Sequence, residues 1–369
     1  MIKKKQSIFS RVLLCINLFF CFALLIGYLA PSVDPRKYWI FAFFGLAYPP
    51  ILLLNVIMML YWLLRKRWQF LFSLVSILVG WGVLNNNIGL RFKSSFSLPP
   101  GLNVVHVMTY NVHNFKHFGF SNDISTKHEI LSLIDSEQPD VIGFQEFYTR
   151  NKGQYETRDS LCKILGSNNF YFEPFSFNSL EAIGMAIFSK YPIIAKGMIR
   201  LAADRTSGNQ CLYADIKKGD KIFRYYNVHL QSINFGPEDY KYIDSVSKKG
   251  KTDIQSTKKL GSKLKIAFMR RAEQVFKVKA HAAQCPYPYI IAGDFNDTPS
   301  SFAVNQMAKG LNNSFREKGS GLGRTYNGDF PNYQIDYIMS SPQFSVFNYK
   351  VIEKKLSDHY SVRSDLVLN

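Results

Sequence analysis

Six apolar stretches of this 369-residue chain run into side chains that can bind a metal ion or a phosphate. In YIIAGDFNDTPSS, Tyr289 to Ser301, the extended run ends in Asp294, Asn296 and Asp297 before Pro299 stops it. The same event recurs at Asn111 in TYN, Glu146 in FQE, Asn227 and His229 in YNVHL, Asp336 in QIDYI, and Asp358 with His359 in LSDHYSV. Any one of these alone reads equally well as a turn or a satisfied core residue, because Asn and Asp hydrogen-bond their own backbone at chain reversals. Gathered at one edge of a fold, they would form a pocket of carboxylates, amides and imidazoles. That set suits hydrolysis of a phosphate ester, which needs an activated water, neutralised phosphoryl oxygens and relief for the departing oxygen. A hard cation such as Mg²⁺ takes carboxylate and amide oxygens.

To bring these residues together the chain needs strands that end at a common edge. VVHVMTYNV (Val104–Val112) alternates and is rich in β-branched residues, so it is predicted as a strand. Ile130, Leu131 and Ile134 recur at helical spacing within 124–136, and Pro139 ends that pattern. Asp140–Glu146, Ala182–Lys190 and Lys221–Leu230 are further strands, and Thr257–Gln284 is a helix with lysines on its outer side. After the opening stretch come a short helix beyond Pro299 and two late strands, Tyr333–Ser340 and Tyr360–Leu368. Strands outnumber helices and do not alternate with them regularly, which predicts an α+β fold of two packed sheets.

The ordered set TYNVHNF, DVIGFQE, GMAIFSKYPI, YYNVHLQS, IAGDFNDTP, QIDYIMSS and SDHYSV resembles the endonuclease/exonuclease/phosphatase superfamily, the pancreatic-deoxyribonuclease-like metal-dependent phosphoesterases. The resemblance spans Val104 to Leu368. It implies a four-layer α/β sandwich, two mostly antiparallel sheets flanked by helices, with the site at one edge. It also implies Mg²⁺, or Mn²⁺, held by Glu146 with Asn111 and Asp358. His359 would be the general base and Asp336 its orienter. Asp294 and Asn296 would position the nucleophile and a phosphate oxygen, and His229 would contact the phosphate or protonate the leaving group. Gln334 stands two residues before Asp336, where relatives often carry a basic residue, so Arg205 or Arg224 would have to supply a cation there.

The remainder of the chain is of another kind. Val12–Ala30, Tyr38–Leu64 and Trp68–Asn85 are apolar runs near or above the roughly 18 residues that a membrane-crossing helix needs. Residues 1–90 are therefore predicted as a three-span anchor, 91–102 as a polar linker, and 103–369 as the catalytic domain. Lysines at 3–5 with Arg11, and the 65–67 run of Arg, Lys and Arg, place the N-terminus and second loop in the cytoplasm and the catalytic domain outside it. The spans hold no buried charges of the kind that mark a transport path.

Net charge is +18, yet it is local: Tyr240–Ala280 holds 12 basic and 3 acidic residues. That segment could grip a polyanion, lie on anionic lipid heads, or be the solvated side of a helix. The expected substrate is accordingly a phosphate ester, either nucleic acid or a lipid or small phosphodiester. A non-catalytic binding module is the reading from another class, and the full set of acid, base and ligand residues weighs against it. Five cysteines without a C-x-x-C pair indicate neither a zinc site nor a disulfide framework.

Overall fold

The computed structural model describes residues 7–91, 103–115, 124–204, 207–328 and 331–369. Arg205 and most of the predicted linker lie outside them. Five helices come first: α1 (Ile8–Gly27), α2 (Ile40–Leu46), α3 (Tyr48–Leu64), α4 (Phe70–Val79) and α5 (Trp81–Asn87). Helix α1 is long and apolar enough to cross a membrane alone, whereas α2–α3 and α4–α5 qualify only as pairs bent by 62° and 73°. The second and third predicted spans are thus broken, and the sequence contains the causes. Pro49 and Pro50 open α3; proline lacks an N–H and clashes with the preceding turn, so it starts a helix more readily than it continues one. Gly80 occupies the second break, where it weakens helix continuity.

The helices join through polar side chains. Asn17 donates to Ser73 Oγ at 2.7 Å and accepts from Trp62 Nε1 at 3.0 Å, and Asn55 donates to the Phe20 carbonyl at 3.0 Å. Phe19, Phe22, Leu53, Leu60 and Val79 face outward. A hydrogen-bonded centre inside an apolar exterior inverts the arrangement of a water-soluble bundle and suits a lipid surround.

The part from Val104 onward contains β1 (Val104–Asn111), α6 (Ile124–Glu137), β2 (Val141–Arg150), α7 (Thr157–Leu165), β3 (Asn169–Phe177), β4 (Glu181–Ser189), β5 (Ile193–Arg200), β6 (Gln210–Lys218) and β7 (Lys221–His229). There follow α8 (Pro237–Lys249), α9 (Ile254–Ala282), β8 (Tyr289–Asp294), α10 (Phe302–Ala308), β9 (Asn312–Asn313), α11 (Ser314–Lys318), β10 (Asp336–Ser340), β11 (Phe344–Ile352) and β12 (Ser361–Leu368). They form two six-stranded sheets, ordered β11-β12-β1-β2-β4-β3 and β5-β6-β7-β8-β10-β9. The β1–β2 and β7–β8 pairs are parallel and the others antiparallel. Helices α6 and α7 cover the outer face of the first sheet, and α9 and α10 that of the second. This is the predicted two-sheet sandwich. Of the strands the sequence did not suggest, β3, β5, β9 and β11 lie at sheet edges and β6 lies inside the second sheet; β3 and β5 show no clean alternation of burial, whereas β11 does.

Side-chain alternation explains where the polar strand ends point. Val105 and Val107 of β1, Phe223 and Tyr225 of β7, Ile290 and Ala292 of β8, and Ile338 of β10 all fill the space between the sheets. Two residues per period carry that face on to Asn111, His229, Asp294 and Asp336. In the second sheet Asp294 pairs directly with His229 on one side and Asp336 on the other, so the three form one row at the mouth of the inter-sheet space.

Just before that row, Gly293 has φ +147°, and a Cβ there would stand 1.9 Å from the Val228 carbonyl oxygen. Gly293→Ala should therefore cost on the order of 3 kcal/mol or more, from backbone strain plus overpacking. Denaturant unfolding checks this, and an unchanged midpoint would show that β7 and β8 are not so tightly apposed.

Candidate functional site

Strand direction gathers the site. Strand β12 runs antiparallel to β1, with Thr109 opposite Val362, so the segment preceding β12 lies beside Asn111. Ser357 Oγ donates to the Asn111 carbonyl at 2.9 Å and accepts from the His359 backbone N–H at 3.2 Å, which locks the Asp358–His359 pair against the end of β1. Asn111, Glu146, His229, Asp294, Asn296, Asp358 and His359 line one cavity of about 230 Å³. Asp336 lies behind His359, its Oδ2 2.9 Å from Nδ1. All eight predicted site residues are thus brought together.

Asp294 is the hub. Its Oδ2 accepts from Asn111 Nδ2 at 3.1 Å and Asn296 Nδ2 at 3.2 Å, and its Oδ1 accepts from the Asn296 N–H at 2.7 Å. The same Oδ2 faces His229 Nε2 at 3.6 Å and His359 Nε2 at 3.7 Å. Burial pushes the Asp294 carboxyl above its ordinary range, with His359 and His229 opposing that shift. For His359 burial works against the charge, but Asp336 and Asp294 outweigh it and hold the imidazole well above the usual histidine range.

Glu146 reaches the cavity by a different device. By alternation it would follow Ile142 and Phe144 toward the outer core, but β2 carries a bulge between Phe144 and Phe147, and Glu146 has φ +53°. The extra residue leaves the ladder and is re-aimed toward the mouth, as bulges beside active sites commonly do. His113, which the sequence reading did not single out, sits in a run of positive φ through Phe115. Its Nδ1 is 3.6 Å from both Glu146 Oε2 and Asp358 Oδ2. The Glu146 carboxylate raises the His113 imidazole, with burial opposing and Asp358 adding to the rise. Burial likewise opposes charge on Glu146, yet His113, His229 and His359 bring it down to about 2.

Two groups of side chains could hold a cation. Glu146 and Asp358 converge about His113, and Asn111 Oδ1 is turned away from Asp294 to the His113 N–H at 3.2 Å. These are hard oxygen donors, suited to Mg²⁺ or Mn²⁺. Asp294, Asp336 and His359 offer ligand atoms within 4.8 Å of one another. In that second group the Nδ1 to Asp336 bond is already made, so an imidazole with its orienting carboxylate describes it better.

Beneath the site lies a buried polar layer. Gln145 Nε2 donates to Asn227 Oδ1 at 2.5 Å and Thr109 Oγ1 at 3.1 Å, while Asn227 Nδ2 donates to the Phe144 and Ala186 carbonyls at 2.9 Å. Asn227, suggested by sequence as a metal or phosphate ligand, instead ties the two sheets together. Gly143 makes room for it, since a Cβ there would meet Asn227 Cγ and Oδ1 at 2.9 Å and Tyr225 Oη at 2.6 Å. Arg224 is also excluded from the site: it pairs with Asp215 at 2.5 Å, five residues before His229 on β7. Gln334 is buried, with Nε2 3.4 Å from Tyr349 Oη.

Residues 108–359 match the Endonuclease/Exonuclease/phosphatase family, and residues 10–87 match a domain of unknown function (DUF8431). The chain belongs to the endonuclease/exonuclease/phosphatase family. No curated protein matches it. Among solved structures, a family protein from Bacteroides thetaiotaomicron aligns at 17% identity with TM-score 0.53, covering 73% of this chain and 99% of that one. One from Beutenbergia cavernae aligns at 18% identity with TM-score 0.52, covering 72% of each chain. The human Nocturnin catalytic domain with bound sulfate aligns at 16% identity and TM-score 0.51, covering 74% and 97%. At such identities the likeness is one of fold. This endonuclease/exonuclease/phosphatase-family chain is thus a phosphate-ester hydrolase by family, with a buried Asp, Asp and His group at the sheet edge.

One residue beneath the family site was hidden in the basic segment. Arg271 of α9 is 1% exposed, pairs with Asp297 at 3.2 Å and donates through Nη1 to the Asn296 carbonyl. Burial lowers its proton affinity while Asp297 and Asp294 oppose that shift. Arg271→Met should leave Asp297 buried without its partner and cost about 3–5 kcal/mol. Thermal unfolding of the variant measures this; a loss under about 1 kcal/mol would mean surface-like screening of the pair.

Proposed function

We propose that this protein is a membrane-anchored, divalent-metal-dependent phosphoesterase whose catalytic domain faces away from the cytoplasm. The observation carrying the reading is the convergence of Glu146, Asn111 and Asp358 beside the row His229, Asp294 and Asp336 with His359. Glu146, with Asn111 and Asp358, would hold the cation. A bound divalent ion supplies charge neutralisation at the phosphoryl oxygens and lowers the proton affinity of nearby imidazole.

The chain's own groups account for the remaining needs. His359, oriented through Nδ1 by Asp336, presents Nε2 to the cavity beside Asp294. There it takes a proton from the attacking water, and Asp336 stabilises the resulting imidazolium. Asp294 accepts a hydrogen bond from the water and so orients it, and Asn296, donating to Asp294 and to the Leu230 carbonyl, holds that carboxylate in place. His229 stands on the other side of Asp294, placed to donate to the phosphate or to the departing alkoxide. The water oxygen bonds to phosphorus, the ester P–O bond breaks, and the alcohol leaves with a proton.

The helices support this orientation. At 1.5 Å per residue α3 is about 25 Å long, so the basic turn at 65–67 lies about that far from Tyr48, two residues beyond Leu46, whose carbonyl accepts from Tyr333. Positive charge at that far turn favours the cytoplasm.

His359→Ala should lower turnover of bis(p-nitrophenyl) phosphate by about 10²–10⁴ while the domain stays folded. Activity within a few-fold of the parent would remove His359 from the role of base. Mg²⁺ at about 100 times its Kd should add about 2.7 kcal/mol to stability. Glu146→Gln should abolish most of that gain in a thermal-shift titration, whereas an undiminished gain in the variant would place the ion elsewhere.

A further inference from the structure

The catalytic cavity is not walled by the catalytic domain alone. Leu46, the last residue of α2, lines it together with Glu146, Asp294 and His359, and the apolar wall continues through Leu264 and Phe268 of α9. Leu46 is fixed in place: its carbonyl accepts from Tyr333 Oη at 3.3 Å, and Phe43, one turn earlier, meets Phe268 edge-on with centroids 5.3 Å apart. Neighbouring contacts hold the same seam. The Arg36 guanidinium lies 4.7 Å from the Phe276 ring, Lys265 Nζ lies 4.8 Å from the Trp39 ring, and Asn87 Nδ2 donates to Ser300 Oγ at 2.8 Å.

Beyond Glu146 and His229, which border both spaces, a second cleft of about 800 Å³ opens. Its lining is polar, with Asp204, Asn209, Gln231, Arg270 and Lys277 among its residues. The reacting phosphate position therefore lies between a largely polar cleft and the one apolar wall of the catalytic cavity, formed by Leu46, Leu264 and Phe268, which ends on the N-terminal helices. Leu46 stands at the bend where α2 meets the apolar helix α3, which is headgroup depth for a span of that length.

Resting on the phosphoesterase reading above, we propose that the substrate is an amphiphilic phosphoester taken from the bilayer. Its polar head occupies the cleft beside Arg270 and Gln231, its phosphate sits at Glu146 and His229, and its hydrocarbon chain leaves past Leu46 and Phe268. A nucleic acid would instead carry charge into the Leu46 and Phe268 wall and would call for free lysines along its path. The lysines of α9 nearest the site are engaged: Lys259 pairs with Glu238 at 2.9 Å, Lys263 with Asp239 at 2.5 Å and Lys277 with Glu273 at 2.8 Å.

The test uses the full chain in nanodiscs with Mg²⁺, and ethyl-, octyl- and hexadecylphosphonate as non-hydrolysable probes, with empty nanodiscs subtracted. Affinity should rise about tenfold or more from the shortest to the longest chain. Leu46→Asp and the milder Leu46→Ala, each confirmed folded by its unfolding midpoint, should lose most of that rise. Affinity independent of chain length overturns the proposal, as does a rise that both variants keep, which would be partitioning alone. Faster hydrolysis of duplex or single-stranded DNA than of any lipid phosphoester overturns it in favour of a nuclease. A chain-length gain without turnover of any ester, bis(p-nitrophenyl) phosphate included, supports the amphiphile site and refutes the hydrolase reading instead.

Discussion

A single buried carboxylate organises this molecule's site. Asp294 closes β8 at the mouth of the space between two sheets and takes hydrogen bonds from Asn111 of the first sheet and from Asn296 on its own turn. It also faces two imidazoles within 3.7 Å. Removing a carboxylate from water costs several kcal/mol unless donors and positive charge replace the solvent. The surrounding donors do so here, and in consequence they are all held to one point. The geometry proposed for chemistry is a by-product of satisfying that one group.

The same logic extends outward. Arg271, itself fully enclosed, braces the turn after Asp294 through Asp297 and the Asn296 carbonyl. Below it, Gln145 and Asn227 cross-link the sheets where purely apolar packing would allow them to slide. The Asn227 amide is fully used in this layer, whereas Gln145 Oε1 is buried without a hydrogen-bond partner among the described residues. The backbone carries its share as left-handed residues at His113, Glu146 and Asn296. These cluster around the cavity, where strain can be maintained because the packing beneath over-determines it.

The N-terminal helices are part of the same design. Their two broken helix pairs send short segments, α2 and α5, against α9 and the start of α10, so the catalytic domain is seated on the bundle instead of trailing from it. The basic segment that sequence left open among three roles now divides: Arg271 is structural, several lysines pair with local carboxylates, and Lys265 turns to Trp39 of the anchor. Exposed pairs of this sort contribute little to stability, so their effect is to shape the local field.

The family, the two-sheet fold and the apolar N-terminal region were legible in sequence, because strand alternation, long apolar runs and the order of GDFN, ID and SDH are all local patterns. The eight candidate residues could be picked out for the same reason, since seven of them end a strand or lie within three residues of one; Glu146 lies inside β2 and reaches the cavity only through its bulge. Edge strands, His113 and Arg271 were not. β3 and β5 lack a clean alternation, His113 matters only through a left-handed turn toward Glu146, and Arg271 is indistinguishable by composition from the solvated lysines around it. For Asn227 the sequence left both readings open, because a strand-end amide looks the same whether it faces a cavity or a second sheet. Local chemistry determined which side chains could act. Strand direction, one bulge and two helix breaks decided that they meet at a point, and that this point opens onto the anchor, since those depend on contacts between segments far apart along the chain.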